Sequence, residues 1–275
     1  MLPWIAVIGV AAAILAGGCA SSRTTMEPLT TDDDRVSPSP GLQDASRSPS
    51  RVEILGSSVA GEPIELLLFG SGPETVLIVG GIHGDERNAA ELAEALVAHL
   101  RSVDGRVPAG RTIAVLPRAN PDGLARNTRV NANGVDLNRN FPALNWRRAP
   151  RGNRHGPQPA SEPETRAIMA AVERLRPSVI VSIHAIHGGR ECNNYDGPAR
   201  AIAERMAELN GYPATASIGY PTPGSFGTWA GIDRGIPTIT LELPRRATRE
   251  EVWPQQKAAL LSVVGLNDAE PALGL

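Results

Sequence analysis

Three short apolar runs limit the fold of this chain more than any other feature: Val76-Leu77-Ile78-Val79, Val179-Ile180-Val181 and Ile239-Thr240-Leu241. They are β-branched and nearly continuous, as strands buried on both faces must be. With their flanks they predict strands over 75–79, 179–183 and 238–243, joined by weaker strand patterns over 52–55, 64–69 and 112–116. Helical periodicity falls between them, over 86–101, 162–175, 199–209 and 249–264, with Ser161 and Glu164 spaced as a capping box. This alternation predicts an α/β layer fold, a largely parallel mixed sheet with helices on both faces.

In open α/β sheets ligands bind beyond the carboxyl ends of the strands, so the residues standing there carry the chemistry. The first buried run leads into Gly80-Gly81-Ile82-His83-Gly84-Asp85-Glu86, the second ends in Ser182-Ile183-His184, and the third carries Leu241-Glu242-Leu243. Two histidines and two glutamates therefore converge on one edge. His83, Glu86 and His184 form a His₂Glu set, the donor combination of catalytic zinc sites that keep one position open. Asp136 is a partner for the second ring nitrogen of one histidine, which fixes its tautomer. Glu242, on its own strand, is the carboxylate free to act as general base. His187, three residues after His184, is a lesser ligand candidate, and His155, among Arg147, Arg148, Arg151 and Arg154, reads as solvated.

Charge narrows the alternatives. Residues 51–275 carry 24 cations and 24 acids, a balance unsuited to nucleic acid. Of all 27 cations only Lys257 is a lysine, which leaves no lysine at the strand ends for Schiff-base or phosphate-loop chemistry. No Gly-x-Ser-x-Gly elbow occurs. Cys19 and Cys192 cannot build a disulfide framework, and Cys192 is expected to be a buried free thiol.

The chain opens on an apolar run over residues 5–16, of signal-peptide length and too short to span a bilayer. It ends in Leu15-Ala16-Gly17-Gly18-Cys19, which resembles a bacterial lipobox. That resemblance implies a signal peptide over 1–18, lipidation of Cys19, a membrane anchor and an extracytoplasmic location. Residues 19–50 are rich in Ser, Thr, Pro and Asp without apolar period, the composition of a disordered tether. The catalytic domain is expected over 51–275.

The motifs together resemble the zinc carboxypeptidase family over roughly residues 60–260. His83-Gly-Asp-Glu86 is similar to the family's first ligand motif, Asn120-Pro-Asp-Gly123 to the turn that follows, Asp136-Leu-Asn138-Arg139-Asn140-Phe141 to its carboxylate-binding motif, and Tyr220, 22 residues before Glu242, to its mobile tyrosine. Three stretches, 131–142, 161–165 and 219–229, look most like the bacterial murein tripeptide amidases. The resemblance implies one Zn²⁺ per chain held by His83, Glu86 and His184, with Glu242 as base. It further implies that Asn138 and Arg139 grip the terminal carboxylate of a peptide, that Arg129 stabilises the oxyanion with Arg126 as its rival, and that Tyr220 closes over the bound residue. Gly227, seven residues after Tyr220, takes the place lining the floor of the side-chain pocket, where a glycine implies an open, uncharged floor, with Arg190, Asp196 and Asp85 as candidates at the rim for the two ionic ends of diaminopimelate. The expected reaction is hydrolysis of the amide before a C-terminal residue, γ-D-glutamyl to meso-diaminopimelate in murein tripeptide. The competing readings are a related deacylase of N-acyl amino acids and an inactive peptide-binding lipoprotein. The latter requires a lost ligand or base, and none is lost.

Overall fold

The computed structural model describes residues 51–102, 107–152 and 154–266. The expected signal peptide, Cys19 and the tether lie outside them. Eight strands form one mixed sheet: β1 (Arg51–Ser57), β2 (Pro63–Gly70), β3 (Glu74–Val79), β4 (Arg111–Leu116), β5 (Val179–Ile186), β6 (Cys192–Asp196), β7 (Ala214–Thr215) and β8 (Thr238–Pro244). Their spatial order is β1-β2-β4-β3-β5-β8-β6-β7. The centre, β4-β3-β5-β8, is parallel and contains all three buried runs. Antiparallel pairing is confined to the flanks, where β1 and β2 lie on one side and β6 runs against β8 on the other.

The two faces separate by strand alternation. Val76, Ile78, Val115, Val181, Ile183, Ile239 and Leu241 point to one side, where they pack with side chains of α1 (Arg87–Ser102), α4 (Arg200–Asn210) and α5 (Arg249–Val264). Leu77, Val79, Ala114, Leu116 and Ile180 point to the other, against Ala167, Ile168 and Val172 of α3 (Pro163–Leu175) and an aromatic group of Phe141, Phe226 and Trp229. No helix among the described residues is long and apolar enough to cross a membrane.

The expected capping box at Ser161 is not formed. Helix α3 starts at Pro163 with Glu162 at its cap and no side-chain cap bond, because Glu164 turns inward and accepts from the Val59 amide at 3.1 Å and from Asn131 Nδ2 at 3.0 Å. A capping box does form at α5, where the Thr248 amide donates to Glu251 Oε2 at 2.8 Å. Strand β5 also runs two residues past His184, so this histidine stands within the strand.

Candidate metal centre and substrate cleft

The segment between β3 and α1 is held against the next strand–helix connection. The amides of Ala119 and Asn120 donate to Gly80 and Gly81 carbonyls at 3.0 and 2.9 Å, and Asn120 Nδ2 reaches the Ile82 carbonyl at 3.2 Å. Asn120 also caps the short helix α2 (Pro121–Arg126) by accepting from the Gly123 amide. The two loops touch at Gly84 and Gly123, where a Cβ on Gly84 would overlap the Gly123 backbone. This contact fixes His83 one residue before it and Glu86 two residues after it.

His83 and Glu86 meet His184 from β5, and their donor atoms lie within 4.8 Å of one another. His83 Nδ1 is 2.9 Å from Glu86 Oε1, while His184 Nδ1 is 3.1 Å from both His83 Nδ1 and Glu86 Oε2. All three residues are buried. Two imidazole nitrogens facing each other and a carboxylate at this distance suit a shared cation, since zinc ligands ~2.1 Å from the ion stand about 3.4 Å apart along a tetrahedral edge. The residues present fit one Zn²⁺, and the centre is a His-Glu-His zinc site. Among the described residues His187 is exposed and belongs to no such group.

The surroundings tune the ligands unequally. His83 Nε2 is 3.1 Å from Asp136 Oδ1, whereas His184 Nε2 is buried without a partner. Burial disfavours both imidazolium forms. At His83 the charges of Glu86 and Asp136 outweigh it and raise the pKa to about 9, while at His184 burial prevails and lowers it. Burial likewise opposes the charged forms of Glu86 and Asp136, but His83 holds both below the ordinary carboxylate range. Asp136 is itself positioned by the turn Leu137–Arg139, whose Asn138 amide it accepts at 3.0 Å.

Of the two rival arginines, only Arg129 enters the site. Its Nε donates to Asp136 Oδ2 at 2.9 Å and its Nη1 to Glu86 Oε1 at 3.2 Å, while Arg126 is exposed on the last turn of α2. Glu242 is in register with His184 on the neighbouring parallel strand, so both project from the same face. It is 6% exposed, and burial followed by the charge of Glu86 raises its pKa to about 7. That is the range suited to a general base at neutral pH. Cys192 pairs with Glu242 from the antiparallel side; burial and that carboxylate push its buried free thiol up to about 12.

Beside Glu242 lies a cavity of about 100 Å³ lined by Asn138, Asp196, Tyr220, Gly227 and Thr240 among others. Asn138 Oδ1 accepts from the Phe226 amide at 2.8 Å, joining the turn Leu137–Arg139 to the segment that carries Gly227. Arg139 stands close enough to Glu242 and Tyr220 for their charges to act on it. Tyr220 is 42% exposed, with the Arg190 guanidinium 6.0 Å from its ring centre.

Two residues depart from the sequence reading. The floor at Gly227 is not uncharged: Asp196 Oδ2 occupies the space a Cβ there would take, so the glycine makes room for an acid from β6. Burial alone raises Asp196 to about 6. Arg245, absent from the sequence reading, pairs with Asp85 and reaches Glu86 Oε1 at 3.4 Å. Its only signal was its position three residues after Glu242, at the exit of a buried strand.

The family model for zinc carboxypeptidases matches residues 42–259. Murein peptide amidase A of Escherichia coli (strain K12) is 36% identical over 212 residues, covering 71% of this chain and 82% of that protein. The same-named protein of Vibrio campbellii is 36% identical over 206 residues, covering 69% and 77%. The crystal structure of murein-tripeptide amidase from Escherichia coli O157 superposes with a TM-score of 0.66 at 30% identity, over 82% of this chain and 98% of that one. Bovine thrombin-activatable fibrinolysis inhibitor, at 20% identity and a TM-score of 0.67, shares the fold. With its zinc site and the extent of these matches, the chain belongs to the zinc carboxypeptidase family.

Proposed function

We propose that this zinc-dependent carboxypeptidase/amidase hydrolyses the γ-D-glutamyl to meso-diaminopimelate bond of free murein tripeptide. The observation that carries the reading is Asp196 against Gly227 in the pocket beside Glu242, with the Arg190 guanidinium 6.0 Å from the ring of Tyr220, which lines the same pocket. Diaminopimelate ends its side chain in an ammonium and a carboxylate, for which Asp196 and Arg190 are the complementary charges. The names of the relatives in Escherichia coli and Vibrio campbellii support the same substrate.

His83, Glu86 and His184 hold the zinc, which when bound polarises the scissile carbonyl and lowers the pKa of water. Glu242 takes the proton of the attacking water and returns it to the leaving amine. Arg129 stabilises charge developing on the carbonyl oxygen, Asn138 and Arg139 orient the terminal carboxylate through charge-assisted hydrogen bonds, and Tyr220 closes the cleft. Asp136 holds His83 and Arg129 together, which ties metal binding to oxyanion stabilisation.

Purified protein assayed on tripeptides ending in meso-diaminopimelate, L-Lys, Phe and Arg tests the assignment. Meso-diaminopimelate is expected to give the highest kcat/KM, and Asp196→Asn to lower it roughly tenfold or more, the scale of an unpaired buried ion contact. A preference for Phe, or equal rates on all four, refutes the substrate and leaves the zinc chemistry standing.

We further propose that the enzyme works outside the cytoplasm as a lipoprotein anchored at Cys19, a reading supported by the apolar run over 5–16 and the lipobox-like residues after it. Labelling with a fatty acid should mark the wild type and not Cys19→Ser. An unlabelled wild type removes the anchor.

A further inference from the structure

The domain is neutral as a whole, yet its charge is unevenly placed. Residues 137–161 contain five arginines and no Asp or Glu. One of these, Arg139, belongs to the cleft. The other four, Arg147, Arg148, Arg151 and Arg154, are exposed, and among the described residues none has a carboxylate partner. Some exposed arginines elsewhere are paired, as Arg200 is with Glu204 and Arg205 with Glu208, and others such as Arg101 and Arg246 are not, among the described residues; what sets 137–161 apart is five arginines with no acid among them.

This loop is held in place by its backbone. The Asp136 amide donates to the Arg154 carbonyl at 2.8 Å, Asn140 Nδ2 to the His155 carbonyl at 2.9 Å, and Arg148 Nη2 to the Pro157 carbonyl at 3.1 Å. His155 Nδ1 lies 2.7 Å from the Arg147 carbonyl, closing the loop on itself. The four arginines therefore stand on one loop, and no acid within it offsets their charge. An arrangement of this kind is stabilised by an external polyanion.

Apolar side chains stand at the edge of the same loop. Leu144 is 90% exposed and Ile232 59% exposed. The Leu144 amide donates to Asp233 Oδ2 at 2.8 Å, which sets the two apolar residues on either side of one contact. Asp233 is the acid at this border, and Arg234 beside it is stacked 3.8 Å over Trp229. A single exposed Leu or Ile is ordinary. Two of them bordering a cluster of unpaired arginines match the chemistry of a bilayer interface, with apolar groups for the acyl boundary and cations for the headgroups.

We infer that the face formed by Leu144, Ile232 and the arginine loop docks the catalytic domain on an anionic phospholipid surface. Nucleic acid fits less well, because nothing in its backbone rewards the exposed Leu and Ile. The inference agrees with the proposed anchoring but does not depend on the substrate, and in a vesicle assay it does not depend on export. Because Arg154 is bonded through its backbone to Asp136, docking would set the cleft close to the membrane.

The test is sedimentation of the full chain with vesicles of phosphatidylcholine alone and of phosphatidylcholine mixed with phosphatidylglycerol. Any anchor contributes to both, so the difference between them reads the loop. The wild type should favour the anionic vesicles by roughly fivefold for each arginine engaged, an advantage that high salt removes. Replacing Arg147, Arg148, Arg151 and Arg154 with Ser should abolish the difference, Leu144→Ser should weaken binding even at high salt, and Arg200→Ser with Arg205→Ser should leave it unchanged. Unaltered zinc content and peptidase activity would show that the quadruple variant is folded. Equal partition to both vesicle types, an unchanged preference in the quadruple variant, or loop-dependent binding to isolated cell-wall polymer but not to vesicles overturns the inference.

Discussion

Glu242, proposed as the general base, shows how neighbours tune a single side chain. It must be ionised to accept a proton, and burial with Glu86 raises it to about 7. A bound cation draws it down from there, so kcat/KM should fall with decreasing pH along a limb above the ordinary carboxylate range. Glu242→Gln is expected to retain zinc while losing ~10²- to 10⁴-fold in kcat, as a pH–rate profile and metal analysis would show. Asp196 illustrates the opposite balance, since among the described residues no cation offsets its burial and only Asn194 Nδ2, at 3.4 Å, donates to it. Its folded pKa of about 6 exceeds the ordinary 3.8. The folded state therefore favours the protonated form, and stability is lost as pH rises through about 6. Asp196→Asn should remove that loss and stabilise the protein above neutral pH by on the order of 1 kcal/mol, a figure reduced for the solvent reaching the pocket. Urea unfolding at acidic and alkaline pH checks this, and an advantage that persists in acid would contradict it.

At the scale of elements, the active loops are placed by close backbone contact. Gly84 lies against Gly123, so Gly84→Ala forces the β3–α1 and β4–α2 connections apart. A loss of about 1–3 kcal/mol in stability, read from a lowered urea midpoint, is expected, together with weaker zinc retention, because His83 and Glu86 flank the contact. The loop bearing Arg129 and Asp136 is held from the other side by Asn131, which donates to Glu162 at 2.7 Å and Glu164 at 3.0 Å. The spacing of Ser161 and Glu164 suggested a helix cap, but burial of Glu164 gave it a tertiary partner instead. The strands with continuous apolar runs were legible in the sequence. Strand β6 was not, because Cys192-Asn-Asn-Tyr-Asp has no apolar pattern; its Asn193 is buried only because it donates to Asn210 and to the Tyr212 carbonyl.

For the whole molecule, the zinc site rests on a domain whose core does not need it. Both faces of the sheet are covered by large apolar clusters. Removing the metal with a chelator should abolish activity and lower Tm while leaving the far-ultraviolet circular dichroism unchanged, unlike small domains folded by their zinc. Loss of the circular dichroism signal on chelation would show that the core depends on the ion. The same core explains how exposed loops such as 143–158 can carry an unusual charge without endangering the fold.

The parallel centre of the sheet was legible in the chain alone, because strands buried on two faces require continuous apolar runs. So was the His₂Glu donor set with Glu242, because those residues stand at or near the ends of the same runs. How separate elements meet is visible only in the folded molecule. Arg129 rather than Arg126 reaches Glu86, Asp196 from β6 fills the space that Gly227 leaves open, and Arg245 joins the metal ligands. Each of these depends on the register between strands and on the path of loops between them, and contacts of that kind leave no period or spacing in a linear chain.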